Sequence, residues 1–223
     1  MAYTITPLTE HTGAEVRGLD LANPVDPETR GALNRAFADH HVLVIRDQKF
    51  TPPQFMAAAQ VFGDLFQHDK KELHVPGYPQ MYFASNEQTV PGKRYISGET
   101  FHTDHSNHPA PPKATMLFPM SLPSTGGDTQ YINMHNAYDD LPEATKRRIA
   151  GLKGVHVYLS KYSPRELRPL SEDSLKAHCR RQAFTHWCGP IQRTAARRST
   201  SIRCGSSRSS AWRTTRRSSW SPS

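Results

Sequence analysis

The stretch Phe101-His102-Thr103-Asp104-His105-Ser106-Asn107-His108 concentrates metal-ligand side chains more densely than any other part of the chain. On an extended backbone alternate side chains share a face, so His102 and Asp104 are predicted to project to one side and grip one ion together. An imidazole and a carboxylate are two of the three donors of a facial triad, the arrangement that leaves positions open on non-haem Fe(II) for a cosubstrate and oxygen. The same tripeptide also reads as a half-exposed strand histidine beside a surface carboxylate. The chemistry to weigh is therefore oxidation at an iron held by one short segment.

Elements able to hold that segment can be read on both sides of it. Tyr3 to Leu8 and Ala14 to Leu19 alternate well enough to be two short edge strands around a turn at Thr12 and Gly13. Asp26-Pro27-Glu28 is a helix start, with a cap followed by proline at the first helical position, and Leu33, Ala36 and Phe37 share a face of a helix predicted to end near Asp39. Val42-Leu43-Val44-Ile45 is too short for a buried helix and reads as a strand covered on both faces. Thr51-Pro52 repeats the cap-plus-proline signal, and Phe55, Ala59 and Phe62 line a helix that stops at Gly63. Met81 to Ala84 reads as a strand and Asn86 to Thr100 as a loop over the site. Ala114 to Phe118 reads as a strand, and the Gly126-Gly127-Asp128 corner leads into another over Thr129 to Ile132. A helix from Leu141 to Ile149 and a strand from Val155 to Tyr158 complete the pattern.

From Phe101 to Thr129, including Leu122-Pro123-Ser124-Thr125-Gly126-Gly127-Asp128-Thr129, the chain resembles the taurine dioxygenase (TauD/TfdA) family of Fe(II)/2-oxoglutarate-dependent dioxygenases. The resemblance runs from about Ile5 to Leu170 and takes in Ile5-Thr6-Pro7-Leu8, Val44-Ile45-Arg46-Asp47-Gln48, Phe62-Gly63-Asp64-Leu65 and Leu152-Lys153-Gly154-Val155-His156. It implies a mostly β fold with flanking helices, a double-stranded β-helix or jelly roll, whose C-terminal strands are missing here. It also implies that His102 and Asp104 hold Fe(II), that Thr129 hydrogen-bonds a carboxylate of the cosubstrate 2-oxoglutarate, and that O2 is the oxidant. His68 is nominated as a ligand of the substrate's anionic group, although a solvated loop histidine explains it equally well. Gly98 and Lys71 stand where taurine-specific relatives carry Asn and Tyr. That argues against taurine itself and leaves a sulfonate, sulfate ester or carboxylate as the small anionic organic substrate.

Charge divides the chain in two. Residues 1–178 hold 18 Lys and Arg against all 20 Asp and Glu, whereas Cys179 onward holds ten Arg and no acid. The net charge of +8 thus belongs to the tail and does not mark the body as a nucleic-acid surface. The expected organisation is a partial dioxygenase domain over 1–170 and an aberrant, disordered Arg/Ser-rich tail over 171–223. All three cysteines lie in that tail at spacings that fit no zinc pattern. No apolar run approaches the ~20 residues that span a bilayer and no signal-peptide pattern opens the chain, so a cytoplasmic protein without a membrane partner is expected. Homo-oligomerisation stays open.

Back-translation gives the tail a second reading. When the last base of each codon is joined to the first two of the next, one permitted choice of wobble bases from Phe184-Thr185 onward spells His-Pro-Leu-Val-Arg-Thr-His-Pro-Glu-Asn-Gly-Arg-Lys, which is closely similar to family text. The expectation is a frameshift between roughly Glu172 and His178. In frame, the chain lacks the family's distal iron-binding His and its 2-oxoglutarate-binding Arg. Two rivals therefore accompany the oxygenase reading: a non-catalytic remnant of the fold, and a nucleic-acid-binding protein acting through the basic tail.

Overall fold

The computed structural model describes residues 3–67, 73–84, 101–157, 182–186 and 200–205. Strands β1 (Thr4–Pro7) and β2 (Ala14–Arg17) form an antiparallel pair with Ile5 opposite Val16. Their loop is closed by Leu8 N–H donating to Gly13 O at 2.8 Å, and Gly13 takes φ +88°, a left-handed conformation that costs a residue without Cβ little. From β2 the chain passes through helix α1 (Pro27–His40) to β3 (Leu43–Arg46), which lies parallel to β2 with Val16 opposite Ile45.

The start of α1 follows from its sequence. The Asp26 carboxylate accepts from Glu28 N–H and Thr29 N–H, both at 2.9 Å, so two of the helix's orphan donors are satisfied, and Pro27 has no N–H to satisfy. His41 ends the helix at φ +65°, its N–H returning to Phe37 O. Leu33, Ala36 and Phe37 then bury their face in one cluster with Val16, Leu43 and Ile45. Helix α2 (Pro52–Gln60) adds Ala58, and just beyond it Phe62 meets the Phe37 ring edge-on at 5.9 Å. Leu43, Val44 and Ile45 are at most 2% exposed, as a strand covered on both faces requires.

Strand β6 (Ala114–Leu117) joins the same sheet through β9 (Thr200–Gly205), which runs parallel to both β3 and β6, giving the order β1-β2-β3-β9-β6. Two smaller antiparallel pairs are formed by β4 (His74–Val75) with β5 (Tyr78–Tyr82) and by β7 (Lys153–Val157) with β8 (Gln182–His186). Both β8 and β9 fall inside 171–223. Short helices α3 (Met134–Asp139) and α4 (Glu143–Ile149) lie between β6 and β7.

Two sequence expectations need correction. Residues 129–132 form no strand: the corner before them is made by Gly126 and Gly127 at φ +72° and +74°, and no described strand pairs with them, so they lack the ladder a strand needs. Residues 101–104 form no strand either: a turn starts at Asp104, and His105 sits at φ +52°. The segments carrying His68, Lys71, Gly98 and the loop over 86–100 lie outside the described residues.

Candidate metal centre

His102 and Asp104 come together at the entry to a turn and outside any strand. Nε2 of His102 stands 3.2 Å from Oδ1 of Asp104, with the two side chains 37% and 35% exposed. The turn is completed by His108 N–H donating to His105 O at 2.8 Å. The other two histidines of the stretch flank one aromatic ring: His105 and His108 lie 4.8 and 5.2 Å from Phe66, ring centre to ring centre.

Strand β6 holds Asp104 in place. Ala114, Met116 and Phe118 pack against the main core, so by the period of two Thr115 looks to the opposite face. There its hydroxyl donates to Oδ2 of Asp104 at 2.7 Å. β6 itself is tied to the helices by Lys113, whose ammonium donates to Asn34 Oδ1 at 2.6 Å and to Phe62 O at 3.1 Å. Burial first, and the nearby Arg30 guanidinium second, push the Lys113 ammonium below its ordinary value.

Tyr82, at the end of β5, feels the same carboxylate. Burial, and then the Asp104 charge, raise its phenol above the usual value. The whole residue is 41% exposed, so the shift reflects surrounding protein density and not full enclosure. Neither Thr115 nor Tyr82 stood out in the sequence. Thr115 could have been found as the polar position within an Ala-Thr-Met-Leu-Phe run whose other face is apolar. Tyr82 carries no such signal.

Thr129 is half-buried in irregular backbone, and His68 lies outside the described residues. Among the described residues no group of three or more His, Cys, Asp or Glu side chains converges as a metal site. The pair nevertheless fits one edge of a coordination sphere. Two donors bound to one ion at about 2.1 Å and at right angles stand about 3 Å apart, close to the observed separation.

One imidazole beside one carboxylate, on a sheet-and-helix scaffold, is an arrangement that many classes of protein share and that sequence comparison narrows. The chain belongs to the taurine catabolism dioxygenase TauD, TfdA family, whose sequence model matches residues 4–218. It is 32% identical over 149 residues to an alkylsulfatase of Acinetobacter baylyi, covering 67% of this chain and 45% of that protein. It is 29% identical over 182 residues to an alpha-ketoglutarate-dependent sulfate ester dioxygenase of Pseudomonas putida, covering 81% and 57%. Among solved structures, AAD-2 in complex with Mn(II) and N-oxalylglycine superposes with a TM-score of 0.63 at 25% identity, over 86% of this chain and 68% of that one. The chain spans about half the length of the curated relatives it matches.

Proposed function

We propose that this protein is an Fe(II)- and 2-oxoglutarate-dependent dioxygenase acting on a small anionic organic substrate. The observation that carries the reading is the 3.2 Å edge between His102 Nε2 and Asp104 Oδ1 in a chain of the TauD/TfdA family. These two residues would hold the iron, which when bound supplies oxygen activation coupled to oxidative decarboxylation of 2-oxoglutarate to succinate. Thr129 is assigned to a 2-oxoglutarate carboxylate and His68 to the substrate's anionic group. A sulfate ester is the favoured substrate class, because the relatives named above include an alkylsulfatase and a sulfate ester dioxygenase. In this reading the fold is a jelly roll, 1–170 is the partial dioxygenase domain, and 171–223 is an aberrant tail that contributes β8 and β9. The protein acts in the cytoplasm; no helix among the described residues is long and apolar enough to cross a membrane.

A second reading, a non-catalytic remnant, is favoured by the presence of two rather than three converging donors among the described residues. One experiment separates the two. The full chain is supplied with Fe(II), 2-oxoglutarate, O2 and hexyl sulfate, and succinate and released sulfate are measured. Succinate that depends on Fe(II) and vanishes in H102A and D104A supports the oxygenase. Absence of succinate from a parent protein that still binds Mn(II) establishes the remnant, and absence of any metal binding removes the oxygenase assignment.

A further inference from the structure

We infer that Thr115 is a positioning residue for the metal edge: its hydroxyl takes Oδ2 of Asp104 and leaves Oδ1 as the oxygen that shares an ion with His102 Nε2. The inference rests on the reading of His102 and Asp104 as metal ligands. An ionised carboxylate accepts hydrogen bonds and donates none, so in the 2.7 Å contact the single hydroxyl proton of Thr115 must point at Asp104. The carboxylate is thereby divided, with Oδ2 on the Thr115 hydroxyl and Oδ1 at 3.2 Å from the imidazole. A carboxylate without that tie is able to rotate about its Cβ–Cγ bond and present either oxygen, or both.

The location of Thr115 makes the tie effective. Asp104 lies on a turn, with left-handed backbone immediately after it at His105, and has no strand of its own to fix it. Thr115 lies on a strand whose other face packs into the core, and that strand begins beside Lys113, which is anchored on Asn34 and Phe62. Rigidity is thus handed from the helices to β6, from β6 to the carboxylate, and from the carboxylate to the histidine. As a β-branched residue Thr115 also has few χ1 states, so its hydroxyl is aimed before any ion arrives.

The test uses the full chain, Mn(II) as the probe, and the variants T115V, T115S and D104A. Valine keeps the branched shape and removes the donor, whereas serine keeps the donor. Outer partners of metal ligands are worth about 10–100-fold in affinity, so T115V is expected to weaken Mn(II) binding by about that factor and T115S by less than about threefold. Amide exchange of residues 101–108 in the metal-free protein is expected to accelerate in T115V and not in T115S. T115V binding Mn(II) like the parent while D104A does not would overturn the inference and leave the metal edge standing. D104A binding like the parent would remove the metal edge itself. In that event the exchange readout still decides the tie, since unchanged exchange in T115V overturns it with or without metal.

Discussion

Replacing Gln48 by Met tests whether one buried side chain holds the 18–23 loop onto β3. Gln48 is 3% exposed, and its amide makes three bonds: Oε1 accepts from Leu21 N–H at 2.9 Å, while Nε2 donates to Leu19 O and Arg46 O, both at 2.6 Å. Met matches the length and apolar bulk but makes none of them. Leu21 is itself 2% exposed, so its N–H is left without an acceptor in a place water does not reach. Each lost bond is worth about 1 kcal/mol net and the stranded N–H costs up to about 3 kcal/mol, which puts Q48M about 3 kcal/mol below the parent once the two carbonyls find other donors. For a chain of this size that is a fall of about 6–12 °C in Tm, read by far-UV circular dichroism. Q48E is expected to be worse at neutral pH, because it sets a carboxylate against two carbonyl oxygens, and to recover partly in acid, where protonation restores one donor. A Q48M Tm within about 2 °C of the parent, less than 1 kcal/mol at this size, would refute the reasoning.

Two further outcomes follow from charges near the core. Glu15 is held below its ordinary value by the Arg17 hydrogen bond first, against an opposing desolvation, and then by Arg46. A depressed carboxylate contributes stability that is present above its unfolded value and lost as pH falls through the folded one, so this pair weakens in acid. Arg17 is 58% exposed and Arg46 only 14%, so R46M should raise the acid-unfolding midpoint more than R17M despite the order of the shifts, at a cost of about 1 kcal/mol at neutral pH. Lys113 gives the same sign of slope, but at the alkaline end. Its folded value lies below 10.5, so the unfolded chain binds more protons in that window and stability rises with pH towards 10.5. In K113M that rise should flatten, as followed by urea midpoints between about pH 9 and pH 10.5.

Local signals carried the N-terminal half well. The Asp26-Pro27 pair placed the start of α1 because capping is chemistry between neighbours, and the four aliphatic residues from Val42 located β3 to within one residue. Asn133 accepts from His135 N–H at 3.0 Å and opens α3, a cap that was legible in principle but lacked an apolar period behind it. Contacts of long separation were not legible. The strand expected at Thr129 needed a neighbour to pair with, and β9 enters the main sheet from an Arg/Ser-rich stretch with little strand propensity of its own. At the site, the spacing of His102 and Asp104 anticipated their proximity, on a segment that forms no strand. The Thr115 tie, 11 residues away on the other face of a strand, was not read at all.

The two halves of the molecule are held by different forces, and that difference is measurable. Every buried hydrophobic side chain among the described residues lies between Ala14 and Phe62, whereas Phe101, Met120, Leu122, Ile132 and Met134 are all more than half exposed. Strand β6 packs on the core through Ala114, Met116 and Phe118, whereas the segments beside it are tied down largely by separate polar contacts: Asp104 by Thr115, Lys113 by Asn34 and Phe62, and Asn133 Nδ2 by His11 O at 2.6 Å. Burial is lost only when a whole face opens, but single hydrogen bonds of about 1 kcal/mol break one at a time. Native-state amide exchange should therefore show α1, β2 and β3 opening only with global unfolding. Residues 101–113 and α3 should open earlier, at a free energy lower by at least about 1.4 kcal/mol, a tenfold difference in exchange. Mn(II) should slow exchange in 101–108 selectively, because an ion bridging His102 and Asp104 adds the cross-link that this segment otherwise draws from Thr115. Uniform protection across both halves, or slowing by Mn(II) that is spread evenly over the chain, would mean that the site is supported by the core and not by these few polar ties.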